Sequence, residues 1–266
     1  MRIGWSAVTG FGVGLLLCIM PAIVGFIVIQ VKNKRSVKPF LLGAAAFIVS
    51  QLLLRTPLLQ NVLPKFGWYV AMTVSHPFLN WIFLGLTAGI FEETARWICI
   101  RFCLKKHRRF SDGIVFGLGH GGAEAILIVG ISNLNYFLIT FVLASGKSLT
   151  QTFGIPEATA AQVEAGLSGI TFLDGVVGGA ERVLALLMHV GFTMIVFYGV
   201  RRGKSLRYLL AAILIHGFID ASIGFWQVVG VTGWALEGIF AVYVVLLLVW
   251  VVWCRKRLHN MEGEKS

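Results

Sequence analysis

The sequence predicts an all-α fold: a polytopic helical membrane protein of about seven transmembrane helices. Three observations predict it. The chain of 266 residues is 57% hydrophobic and 13% charged, about half the charged fraction of an ordinary soluble domain, and its mean hydropathy is +0.83. Apolar stretches long enough to cross a hydrocarbon core, which takes roughly 20 residues, recur along the whole chain. Finally, the Lys and Arg gather at the ends of those stretches, as topology signals do.

Taken in order, the stretches cover residues 8–31, 39–59, 78–104, 111–143, 174–200, 208–229 and 233–254. The first resembles a signal peptide, but it is too long for such a segment and ends in Lys32, Lys34 and Arg35, so it reads as a retained span. The fourth is too long for one straight crossing. It is either a tilted helix or breaks near Gly130 to Asn135, which would add an eighth short segment. Ser111 and Asp112 read as its N-cap region. The connection over 145–173 is small and polar, and Gly154-Ile155-Pro156-Glu157 opens a short amphipathic helix reaching Gly166, because Pro suits a first helical position. That helix is either a lid or a solvated connector. The chain thus reads as a single transmembrane domain, 1–266, without room for a large soluble domain.

Charge sets the expected orientation. Four clusters (Lys32 to Lys38, Arg101 to Arg109, Arg201 to Arg207, and Arg255 onward with Lys265) hold 17 of the 23 Lys and Arg. With seven spans all four fall on one side, which the positive-inside rule assigns to the cytosol. The N-terminus is then outside, the C-terminus is cytosolic, and the location is the cell membrane, multi-pass. The net charge of +11 is explained by these clusters, so nucleic acid is not an expected partner, whereas the lipid bilayer is. The four cysteines form no CxxC and imply no disulfide framework; Cys99 and Cys103 share a helix face and read as packing.

Ionisable residues inside apolar stretches are expensive and mark function. Here they are Glu92 and Glu93, His120 with Glu124, His189, and His216 with Asp220. Counted at about 1.5 Å per residue from the basic ends, Glu92 and Glu93 lie roughly 17 Å deep, His120 and Glu124 roughly 14–20 Å, His189 roughly 17 Å, and His216 and Asp220 roughly 12–18 Å. All four sets therefore meet near the middle of a core about 30 Å thick. His120/Glu124 and His216/Asp220 are spaced i,i+4 and share a helix face. Adjacent Glu92 and Glu93 point about 100° apart, so one is expected to work on a reactive point while the other pairs with Arg96. The run Gly117-Leu118-Gly119-His120-Gly121-Gly122 would let helices approach closely. Each feature also has a purely structural reading: a buried ion pair for the glutamates, packing hydrogen bonds for the two dyads, and a lone core histidine for His189. Glu181 and Arg182 read as helix-end or packing charges.

The order Glu92-Glu93-x-x-Arg96, then His120-Gly-Gly-Ala-Glu124, then His189, then His216-Gly-Phe-Ile-Asp220 resembles the motifs of the CAAX-protease and bacteriocin-processing superfamily of intramembrane proteases, which includes PrsW-like proteases. It is most similar to the YhfC family of membrane peptidases. The resemblance covers about residues 85–225. The first motif has the shorter spacing of PrsW-like proteins. The second fits either as Phe116-x-x-x-His120 or as His120-x-x-x-Glu124, and both registers stay open. The resemblance implies a glutamic-type intramembrane endopeptidase. Glu92 would activate water with His120 or Glu124 assisting, and His189, His216 and Asp220 would position the substrate carbonyl or stabilise the oxyanion. Glu93 stands as the other acid of the pair. No HExxH is present, so the expectation leans to no cofactor, with zinc held by Glu92, His120, His189 and His216 as the alternative. The expected substrate is a peptide bond of a membrane protein, or of a lipid-linked or amphipathic peptide. Two other classes compete: a non-enzymatic membrane scaffold retaining the protease fold, and a proton-coupled transporter. The transporter is disfavoured by the lack of an internal repeat.

Overall fold

The computed structural model describes residues 3–33 and 37–263. Lys34, Arg35 and Lys265, counted in the basic clusters, lie outside the described residues. Every regular element among those residues is a helix: α1 (Trp5–Asn33), α2 (Lys38–Phe47), α3 (Gly67–Ser75), α4 (Pro77–Ile98), α5 (Phe110–Glu124), α6 (Ile131–Ala144), α7 (Leu149–Phe153), α8 (Glu157–Gly166), α9 (Phe172–Arg201), α10 (Ser205–Val228) and α11 (Gly233–Gly263). Six helices are long and apolar enough to cross a membrane, or seven if the bent pair Gly67–Ser75 plus Pro77–Cys103 is one span. The expected stretches all fall on these helices.

The departures from the expected pattern have physical causes. The second span does not stop near residue 59. It winds on through π-helical turns at Ile48–Arg55 and Leu58–Val62 to a 3₁₀ turn at Leu63–Lys65. The fourth stretch does not break near Gly130. It loosens into a π-helical segment, Ala125–Gly130, and the helix continues to Ala144, so the chain is helical over Phe110–Ala144. Between α3 and α4 the axis turns by 118°. His76, at φ −133° and ψ 69°, precedes Pro77, and the proline ring disfavours the helical conformation for the residue before it. The first turn of α5 is held by Asp112, whose Oδ2 accepts from the Arg109 backbone N–H at 2.9 Å.

Contacts divide the chain into two compact units, Met1–Pro21 with Ala125–Val183 and Ala22–Glu124 with Leu184–Ser266. In the first, the connector forms the two short helices α7 and α8, the second as expected from Pro156. They pack through Leu149 and Ala160 onto Val142 of α6. Glu181 and Arg182 pair with one another there. In the second unit α9 is the central helix: nearly every residue from Ala185 to Gly199 is buried. A helix apolar on all sides belongs in the middle of a bundle, and Phe192, Met194, Val196 and Phe197 have no exposed surface. Around it, α2 and α5 approach through Gly43 and Gly119. A methyl group at Gly119 would meet the Phe40 carbonyl oxygen at 2.0 Å, and one at Gly43 the Phe116 carbonyl oxygen at 2.1 Å.

Candidate active site

All the ionisable residues singled out by sequence lie in the larger unit, on α4, α5, α9 and α10, and they converge. Glu92 leaves α4 toward α5 and α9. Its Oε2 is 3.0 Å from His120 Nε2 and 3.7 Å from His189 Nδ1. Glu93 leaves α4 in another direction. It pairs with Arg96 one turn on, and its Oε1 accepts from His216 Nδ1 at 2.8 Å. The two adjacent acids therefore diverge as their 100° separation requires: Glu93 is the partner of Arg96, and Glu92 faces the histidines.

Arg96 ties these groups together. Its Nη2 lies 3.0 Å from His189 Nδ1. A guanidinium can only donate, so Nδ1 accepts, and the ring proton of a neutral His189 sits on Nε2, against the Glu124 carboxylate. His216 is fixed from both sides of its ring: it stacks on Phe192, with centroids 4.4 Å apart at 11°, and its Nε2 is 3.6 Å from Asp220 Oδ2. The register of the second motif resolves by contact. His120 meets Glu92, while Glu124 meets His189, so both residues of that i,i+4 pair reach the centre. Asp220 finds room because α4 carries glycine opposite it. A methyl group at Gly85 would lie 2.5 Å from the Gly217 carbonyl oxygen and 3.2 Å from the Asp220 Cβ.

Burial grades the site. Glu93, Arg96 and His120 have no exposed surface, and Glu92 is 6% exposed. The Glu124 and Asp220 side chains are 16% and 34% exposed. These last two carboxylates are the most exposed groups of the network. Three buried polar atoms within it lack a hydrogen-bond partner: Glu93 Oε2, Arg96 Nε and His120 Nδ1. Unpaired buried groups of this kind are where water or an ion completes a site.

Among the described residues, the metal-type cluster consists of Glu92, His120 and His189, one each from α4, α5 and α9, with ligand atoms all within 4.8 Å of one another. Two imidazoles and a carboxylate form a donor set suited to zinc and similar ions. His216, expected as a fourth ligand, is outside that cluster, because its Nδ1 is committed to Glu93 and its Nε2 faces Asp220.

The sequence reading passed over Arg55. It is half-buried in the π-helical turn after α2, donating from Nη1 to Gln51 Oε1 at 2.9 Å, from Nη2 to the Leu84 carbonyl at 2.7 Å and from Nε to Thr87 Oγ1 at 3.3 Å. The signal was present, since arginine inside an apolar stretch is as costly as glutamate.

The fold and site together define a multi-pass membrane protein with a buried carboxylate–histidine centre. A family model described as YhfC intramembrane metalloprotease matches residues 16–246, and the chain belongs to that family. A relative, the uncharacterized membrane protein YhfC of Bacillus subtilis (strain 168), is 32% identical over 225 residues, covering 83% of this chain and 86% of that protein. No solved structure matches.

Proposed function

We propose that the chain is an intramembrane endopeptidase that hydrolyses a peptide bond in or near the membrane, and that Glu92, His120 and His189 hold a divalent metal ion of the zinc type. The observation that carries this is the meeting of those three ligand atoms within 4.8 Å in a buried centre. The family's description as metalloproteases supports it. When bound, such an ion polarises a carbonyl oxygen and makes water a better nucleophile at neutral pH.

The remaining groups have roles that follow from their contacts. Glu124, partly exposed and in contact with His189 Nε2, would accept a proton from the attacking water and return it to the leaving amine. His216, with a proton on Nδ1 held by Glu93, presents Nε2 and Asp220 toward the more exposed side of the site, where they orient the substrate peptide. Arg96 and Glu93 neutralise each other, and Glu93 holds His216 in place; an ion on His189 Nδ1 would take the lone pair that Arg96 Nη2 meets here, so Arg96 would turn from that nitrogen on binding. Phe192 and Phe47 wall the imidazoles, with Phe47 edge-on to His120 at 5.6 Å, and keep bulk water out.

A second reading is favoured by the 3.0 Å contact of His120 Nε2 with Glu92 Oε2. There Glu92, relayed by His120, takes the proton from water without an ion, as the resemblance to the CAAX-protease and PrsW-like proteases implies. The two readings separate on a pair of measurements. New N-termini of membrane proteins are catalogued in cells carrying the wild type, Glu92→Gln or Glu124→Gln, and metal is counted per purified protein. The metal reading expects Glu92→Gln to lose both ion and cleavage, and Glu124→Gln to keep the ion and lose cleavage. A wild type without stoichiometric metal, yet silenced by Glu92→Gln, selects the second reading. An identical catalogue for all three proteins would remove the peptidase reading and leave the scaffold or the transporter.

A further inference from the structure

Away from the polar centre, the second unit carries an apolar cavity of about 550 Å³ between α10 and α11, floored by α9. We propose that it holds an acyl chain of an anionic phospholipid, with the headgroup on Arg202 and Arg257.

The cavity's length and lining fit a lipid tail. Along α10 its lining runs from Tyr208 to Ile219, eleven residues or roughly 16 Å of helix. That is about half of a hydrocarbon core some 30 Å thick, the reach of one leaflet. Apart from Tyr208, Tyr243 and Trp250, which are aromatic with one polar atom each, the wall is aliphatic or phenyl, as at Ala211, Ile215 and Leu247, so the lining suits an acyl chain. On α10 this face also differs from the one that carries His216 and Asp220, so the cavity is separate from the polar centre.

One end of the cavity is built differently. Tyr208 and Trp250, which line it, join an aromatic cluster with Tyr198 and Trp253: Tyr198 stands 5.4 Å from Tyr208 and 5.7 Å from Trp250, and Trp250 stacks on Trp253 at 4.7 Å. Aromatic rings of this kind settle at the headgroup level of a bilayer. Two exposed arginines lie over that aromatic cluster. The Arg202 guanidinium lies 5.9 Å from the Tyr198 ring and that of Arg257 lies 5.4 Å from the Trp253 ring. Lys204, Arg207, Arg255 and Lys256 add charge at the same helix ends, and no acid occurs between residues 182 and 220 or between 238 and 261. An apolar slot one leaflet deep, opening on a rim where cations outnumber acids, is complementary to a lipid with a phosphate and a net negative headgroup rather than to a zwitterionic one. Each cation near a membrane surface favours an anionic lipid several-fold.

The test uses the full-length purified protein in detergent and needs no substrate. Phosphatidylglycerol or phosphatidylcholine with acyl chains brominated at mid-chain is titrated in, and quenching of tryptophan emission is followed. The proposal expects phosphatidylglycerol to quench at roughly tenfold or more lower concentration than phosphatidylcholine. Arg202→Gln with Arg257→Gln should erase that difference while quenching at high lipid persists. Ala211→Trp, which fills the cavity, should abolish saturable quenching, and native mass spectrometry of that variant should show the bound phosphatidylglycerol lost. Equal quenching by the two lipids, or a preference that survives the double arginine variant, overturns the proposal. So does a cavity covered by a second copy of the chain, seen as a dimer that Ala211→Trp splits without any change in lipid binding. None of these readouts involves peptide hydrolysis, so the peptidase reading stands or falls separately.

Discussion

Arg96 is the residue on which the centre depends. It has no exposed surface, and it contacts Glu93 and His189 directly and His216 through Glu93. Removing one partner of a buried ion pair leaves the other charged and unpaired, at a cost of about 3–5 kcal/mol. Arg96→Ala is therefore expected to lower the thermal midpoint in detergent far more than Glu92→Gln, which keeps the shape of its side chain. A midpoint for Arg96→Ala within a degree or two of wild type would refute the structural role. The ligand assignment has its own check. His120→Ala and His189→Ala should each strip metal from the purified protein, whereas His216→Ala, outside the cluster, should retain it as counted by elemental mass spectrometry. Much of this centre was legible in the sequence, because lipid makes each buried acid or histidine conspicuous and because counting along helices placed them at one depth. The division of labour between Glu92 and Glu93 was legible as a divergence only. Which acid takes Arg96 depends on the rotation of α4 against α9 and α10, and helix spacing within one chain segment carries no record of that. Arg55 was missed although it lies inside a stretch that was recognised as a span, one that runs on past its expected end to Lys65.

At the level of elements, the glycines decide which helices touch. Gly43 and Gly119 bring α2 and α5 together backbone to backbone, and a side chain at either would strike a carbonyl oxygen rather than a movable group. Forcing extra atoms into such a contact commonly costs about 1–3 kcal/mol. Gly119→Leu is expected to reach or exceed that, seen as a lower midpoint and reduced accumulation in the membrane. Because Gly119 adjoins His120, the surviving protein should also bind metal more weakly. Wild-type stability together with normal metal content would show that α2 and α5 can part without consequence. The sequence signalled close packing at Gly117 to Gly122 but not its partner, since small residues permit an approach without specifying the facing helix. The π-helical turns were not legible either. They arise where a helix must add a residue per turn to keep its polar or small side chains facing inward, and apolar composition is the same on both sides of such a turn.

At the scale of the whole molecule, the orientation of the chain in the membrane is the open expectation, and the structure adds physical support for part of it. Two of the basic clusters are knitted together at one end of the larger unit. Arg101 Nη1 donates to Ser205 Oγ at 2.8 Å, Arg108 Nη1 to the Ile100 carbonyl at 2.8 Å, and Arg201 to the Arg108 carbonyl. Arg108 has its pKa pushed down, first by partial burial and then by the neighbouring Arg201 and Arg101. Cations crowded this way repel one another and are best placed against an anionic leaflet, which in cells is the cytosolic face. The ends of α4, α9 and α11 should therefore face the cytosol, and the connector that carries α7 and α8 should face outward. Cys103, exposed at that basic end, is a native probe. With the other three cysteines replaced, a membrane-impermeant maleimide should label Cys103 only after intact cells are permeabilised. A cysteine at Gln162 in α8, in a chain otherwise free of cysteine, should be labelled without permeabilisation. Labelling of Cys103 in intact cells would invert the topology.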